Sequence, residues 1–103
     1  GVSLVEALSL GIPILASDVQ YGPREICMIP SDTTLSYPAA NTYGVLYSDI
    51  VADEGVLYDR FKSGMAVVLS TRYDSSVLKE RANSFSIDAA VSGWRAFLAT
   101  LEI

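Results

Sequence analysis

The chain has 103 residues and a mass of 11.1 kDa, room for one small domain. Its 7 basic and 12 acidic residues give a net charge of −5, with no histidine and a single cysteine. This balance argues against a nucleic-acid face and a polybasic membrane anchor, and it leaves no intrachain disulfide or protein-only zinc site.

Half of the residues are apolar and the mean hydropathy is +0.34. A domain this small buries only about two thirds of its unfolded surface. The apolar excess therefore fits a piece of a larger α/β domain.

In chain order, the first expected element is a helix over Val2 to Leu10. Val2, Leu4, Val5, Ala7, Leu8 and Leu10 cover almost every side of it, the pattern of a helix inside a domain. Glu6 is the exception, because a charge among apolar neighbours needs a specific partner. Gly11 suits the left-handed residue just past a helix end. Pro13 cannot continue a helix, and Ile14-Leu15-Ala16 reads as a strand buried on both faces, as in a parallel sheet. Ser17 and Asp18 open a polar loop. Gly22-Pro23 fits an N-cap followed by proline at the first helical position. Cys27 is expected in the core. The near-apolar run from Val2 to Ala16 is broken by Glu6 and too short to span a bilayer. With no signal-peptide pattern, these features point to the cytoplasm or the inner face of its membrane.

Residues Met28 to Thr42 are rich in Pro, Ser, Thr and Asn and show no period, so a long loop is expected. Tyr43 to Tyr47 reads as a second strand. Ser48 to Glu54 is an acidic connection. The spacing then predicts a helix over Gly55 to Ser70 with Leu57, Phe61, Met65 and Val68 on its buried face. Tyr73 to Ser76 offers N-caps for a short helix, Ser76 to Ser84, presenting Val77, Leu78 and Ala82. The last helix, Ile87 to Leu101, carries a stripe of Ile87, Ala90, Val91, Trp94, Leu98 and Leu101, which places Trp94 in the core. No repeat or low-complexity tract is present.

The run Glu6-Ala7-Leu8-Ser9-Leu10-Gly11-Ile12-Pro13-Ile14-Leu15-Ala16-Ser17-Asp18, followed by Gly22-Pro23-Arg24-Glu25-Ile26, resembles the donor-binding signature of retaining GT-B glycosyltransferases, the glycosyl transferases group 1 family. The signature reads roughly E-G-F-G-L-x-x-x-E-A-[ML]-[AS]-x-G-x-P-[VI]-[IL]-[AS]-[ST]-[DN], then G-[GP]-x-E-[IL]. Glutamate, glycines, proline and polar loop fall at its spacing together. Tyr43 to Leu101 resembles the family more loosely, with Arg81 to Ser86 similar to its A-x-x-F-S segment. Met28 to Thr42 departs from the pattern. Glu6 matches the second of two family glutamates; the first would lie two positions before Gly1, so the chain is expected to be a fragment.

The resemblance implies a partial Rossmann-like GT-B C-terminal domain, with short parallel strands packed by helices and a helical C-terminal end, over residues 1–103. It implies transfer of a sugar from a nucleoside-diphosphate sugar (UDP or GDP) to an acceptor with retention, in polysaccharide or lipopolysaccharide synthesis, with no added cofactor or metal. The amides at Gly1, Val2 and Ser3 would hold the diphosphate, as helix N-termini do; Ser3 could instead be an N-cap. Glu6 would accept two hydrogen bonds from the ribose diol. Asp18, Gly22 and Glu25 fall near the crevice beyond the strand ends, with turn and cap roles, and Arg24 is expected either to be exposed in a structural role or to reach a phosphate. The sugar-side glutamate, the leaving-group cations and the N-terminal acceptor domain would all lie outside this chain, which is then inactive alone. Two other readings stay open: a non-catalytic α/β binding or interaction module, and an unrelated small α/β domain. Two short strands would leave open edges, so self-association is expected.

Overall fold

A computed structural model describes residues 2–50 and 53–101. The elements run α1 (Val2–Ser9), β1 (Ile14–Ser17), α2 (Pro23–Ile26), β2 (Ala39–Asn41), β3 (Gly44–Tyr47), α3 (Glu54–Ser70), α4 (Ser75–Asn83) and α5 (Ile87–Ala99). The mixed sheet has the order β1-β3-β2. β1 and β3 are parallel, with Ile14 opposite Gly44 and Ser17 opposite Tyr47. β2 is antiparallel to β3.

The expected pair of strands is therefore three. β2 lies within the stretch read as loop, because three residues, Ala-Ala-Asn, carry no alternation to read. It forms because the chain turns back at Thr42 and Tyr43, where the Tyr43 amide donates to Asn41 Oδ1 at 2.8 Å.

Local signals set the helix ends. Gly11 sits at φ 76°, a conformation that costs a residue with a Cβ. Its N–H donates to the Leu8 carbonyl at 2.9 Å, and the Ile12 N–H donates to the Ala7 carbonyl at 3.0 Å. Together these make a Schellman C-cap. The Asp53 and Asp74 side chains accept from the first-turn amides of α3 and α4, satisfying otherwise unpaired donors.

Helices cover both faces of the sheet. On one face Ile14 and Leu46 join Leu8, Ile26, Cys27, Leu78 and Ala82 in one core cluster. Leu8, Leu46 and Leu78 are fully buried, each contributing about 2 kcal/mol relative to exposure. On the other face α3 approaches so closely at the buried Gly64 that a Cβ there would lie 2.7 Å from Leu15 Cδ1.

Three expectations about packing are corrected. The first helix is not interior on every side: Leu8 is buried and Leu4, Val5 and Ala7 are half-buried, but Leu10 is 71% exposed. Its apolar surplus faces outward because only α4 and the sheet cover it. The face of α3 is wider than expected and starts differently. Met65 and Val68 are half-buried as expected and Phe61 meets Tyr47 of β3 edge-on at 6.3 Å, but Leu57 is exposed, and Val56, Arg60, Gly64 and Val67 are also turned inward. Trp94 is not in the core. It is 65% exposed, and its ring meets Phe97 edge-on at 5.9 Å. α5 projects from the other elements, and the described chain measures 57 × 28 × 20 Å with a radius of gyration of 16.1 Å. A compact chain of this length would have a radius near 13 Å, so α5 adds length rather than core.

No helix among the described residues is long and apolar enough to cross a membrane.

Candidate functional site

α1 carries Glu6 just over one turn from its start and packs along α4. Where the two helices meet α2, a cleft of about 640 Å³ opens. Val5, Glu6 and Ser9 line it from α1, Glu25 and Ile26 from α2, and Phe85 from the segment after α4. Arg81 holds this junction together. Its Nε donates to the Ile26 carbonyl and its Nη2 to the Glu25 carbonyl, both at 2.8 Å, while Nη1 donates to Ser84 Oγ at 3.0 Å. The guanidinium also stacks 4.6 Å from the centre of the Phe85 ring. The α2 carbonyls at the end of that short helix are thus paired from another element.

The Glu6 side chain is exposed. Among the described residues its carboxylate has no hydrogen bond or ion pair; only its backbone carbonyl is engaged, accepting from Ser9 Oγ at 2.6 Å. An unpaired carboxylate in a mostly apolar cleft, with the exposed Glu25 as a second acid, suits a ligand that offers hydroxyl donors.

A second constellation stands at the C-terminal end of β1. Asp18 is buried, its side chain 2% exposed, and the Arg24 fork grips it from Nε to Oδ1 and from Nη2 to Oδ2, both at 2.7 Å. Tyr37 donates its hydroxyl to the same Oδ2. Arg24 Nη1 donates to the carbonyl of Thr33 at 2.7 Å and of Pro30 at 3.3 Å. The Arg24 bond holds the Asp18 carboxyl below the usual carboxylate range, and the bond to Asp18 raises the Tyr37 phenol. Arg24 is therefore not the exposed residue expected: its side chain is 17% exposed and its donors are taken by the protein. Asp18 does more than shape a turn, since it anchors the segment from Pro30 to Tyr37 to β1. Asp18, Gly22 and Glu25 do lie together, around a shallow depression that Gly22 and Glu25 share with the Glu6 cleft.

The other expected site residues are placed as follows. Gly1 lies outside the described residues. Val2 opens α1. Ser3 is exposed within the first turn, so it is not the N-cap, and it does not line the Glu6 cleft. Gly22 precedes α2 as its N-cap, with Pro23 at the first helical position. Cys27 is buried as expected, and burial pushes its thiol up to about 11, which keeps it protonated at neutral pH. Among the described residues, no group of three or more His, Cys, Asp or Glu could hold a metal ion. The Asp18–Arg24–Tyr37 clamp and the Arg81 tie were not read from sequence. Asp18 and Arg24 are six residues apart, a spacing with no helical or strand meaning, and Tyr37 is a further thirteen away.

Fold and clefts together define a mixed α/β protein with clefts beyond the strand ends and beside α1. No family model matches the chain, and no solved structure does. Over 113 residues the chain is 27% identical to an uncharacterized glycosyltransferase of Methanocaldococcus jannaschii; the match covers 93% of this chain and 27% of that protein. The relationship is to a glycosyltransferase, and the chain spans about a quarter of its relative's length.

Proposed function

We propose that these residues form the donor-nucleotide part of a retaining GT-B glycosyltransferase of the glycosyl transferases group 1 type, with a Rossmann-like C-terminal domain. The protein would move a sugar from a UDP- or GDP-sugar to an acceptor, in polysaccharide or lipopolysaccharide synthesis. Glu6 accepts hydrogen bonds from the ribose diol, and the first-turn amides around Gly1, Val2 and Ser3 face the diphosphate. The observation that carries this reading is the Glu6 carboxylate, exposed, unpaired and set in a cleft. The signature around Glu6 and the glycosyltransferase relative support it. In this reading the acceptor and the sugar-side carboxylate belong to parts of a longer protein, so the 103 residues alone give no turnover.

The test is titration with UDP and GDP, followed by amide NMR and calorimetry. Shifts are expected at Ser3 to Ser9 and around Glu25. Glu6→Ala, at an exposed position, should leave melting unchanged and weaken binding about tenfold through the lost charged hydrogen bonds. Equal affinity in the variant, or shifts confined to another surface, rejects the assignment.

We also propose that the isolated chain self-associates. β1 and β2 are the edges of the described sheet, and Trp94, Phe97 and Leu98 of α5 are each more than half exposed. Light scattering should show a mass above 11.1 kDa that falls on dilution. A monomer at every concentration contradicts this.

A further inference from the structure

The chain shows how it treats a guanidinium that leaves the solvent. Arg24 and Arg81 each give their N–H groups to oxygens: a carboxylate and loop carbonyls for the first, helix-end carbonyls and a serine hydroxyl for the second. Arg60 breaks that pattern. It lies on the side of α3 turned to the sheet, four residues from Val56 and four from the buried Gly64, where an apolar residue would serve packing. Its Nη1 is buried and has no hydrogen-bond partner. A buried charged donor left unpaired costs more than a neutral one does. The protein has acids to spare, and Asp59 borders the same cleft, yet among the described residues Arg60 forms no ion pair.

That cleft, of about 480 Å³, lies at the C-terminal end of β3, the end of a parallel pair where ligands bind. Arg60 is its cation. Ser48 and Ser63 border it with hydroxyls, and Tyr37, Pro38 and Tyr47 supply flat walls. Ser48 Oγ already accepts from the Ile50 amide at 3.3 Å, so its own proton is available to donate.

We propose that this cleft binds a phosphate group, with Arg60 as its principal contact. A tetrahedral oxyanion beside the guanidinium, reached by a rotation of the Arg60 side-chain end, supplies the missing acceptor. Arginine's planar fork suits paired phosphate oxygens, and the two serines cover a third. The tyrosine and proline walls suit the body of a small phosphate monoester rather than free phosphate. This does not rest on the nucleotide reading, because Arg60 and Glu6 line different clefts and the probes carry no ribose.

The experiment titrates the chain with inorganic phosphate, phenyl phosphate and, as a control, acetate, reading amide shifts and melting temperature. Both phosphates should shift Ser48 and Ser63 and raise the melting temperature, while acetate does neither. Tighter binding of phenyl phosphate marks a monoester as the ligand; equal binding marks free phosphate. Arg60→Met, which replaces the charge with an apolar chain, should fold at least as stably and lose affinity by about tenfold or more. If Arg60→Met does not fold, Arg60→Lys takes its place, keeping the charge without the fork and weakening binding. No response of the wild type to either phosphate, or undiminished affinity in the Arg60 variants, overturns the proposal.

Discussion

Asp18→Asn is expected to lower the stability of the fold by about 3–5 kcal/mol, the cost of removing one partner from a buried ion pair. Asparagine keeps the shape but not the charge. The Arg24 side chain is only 17% exposed, so its cation would be left largely out of water facing a neutral amide. The Tyr37 hydroxyl would lose its charged acceptor too. Small domains are stable by about 5–15 kcal/mol, so the loss is a large share of the total. Urea unfolding followed by circular dichroism reads it as a drop in midpoint; an unchanged midpoint would show that the clamp contributes little. The sign of the pH effect follows from the depressed Asp18 carboxyl. The unfolded chain binds the proton first as acid is added, so the carboxylate's contribution is complete above about pH 4 and disappears as pH falls through the lower folded value. The gap in stability between wild type and Asp18→Asn should therefore be constant near neutrality and close in acid. A gap that widens as pH falls contradicts the clamp.

Gly44→Ala is expected to be nearly as damaging, by a different route. Gly44 stands opposite Ile14 in the parallel pair, and a Cβ there would lie 2.0 Å from the Ile14 carbonyl oxygen and 2.7 Å from its nitrogen. Both are backbone atoms of the neighbouring strand, so no side-chain rotation relieves the contact; β1 and β3 must separate. Overpacking of this kind costs about 3 kcal/mol. In a chain of this length that lowers the melting temperature by roughly 12 °C or more. Gly64→Ala is the control. Its Cβ would also come within 3 Å of an atom, but that atom is Leu15 Cδ1, the end of a flexible side chain. The Gly64 variant should melt well above the Gly44 variant, and the opposite order would refute the packing argument. Because β1 ends just before Asp18 and β3 just before Ser48, the Gly44 change should also loosen the edge where the clefts open.

Local chemistry was legible in the sequence. Gly11 announced the end of α1, Pro13 the break before β1, Gly22-Pro23 the start of α2 and the run Tyr73 to Ser76 a cap for α4, because each depends on backbone geometry within a few residues. Glu6 stood out for the same reason, as the one charge in an apolar run, and it lines a cleft. Long-range pairing was not legible. The close approach of α3 to the sheet at Gly64 was not legible, and it brought Arg60 inward beside the expected Met65 and Val68. β2 exists only because β3 offers it an edge. Trp94 lies on a stripe that reads as core, yet the described residues leave it 65% exposed. By itself the sequence determined, to within a residue or two, where the helices and the strands β1 and β3 start and stop, through caps, prolines and apolar runs. The tertiary structure alone decided which charges share a hydrogen bond and which stand free in a cleft, because that depends on residues brought together across 19 positions at the Asp18–Tyr37 bond and 55 at the Arg81–Ile26 bond.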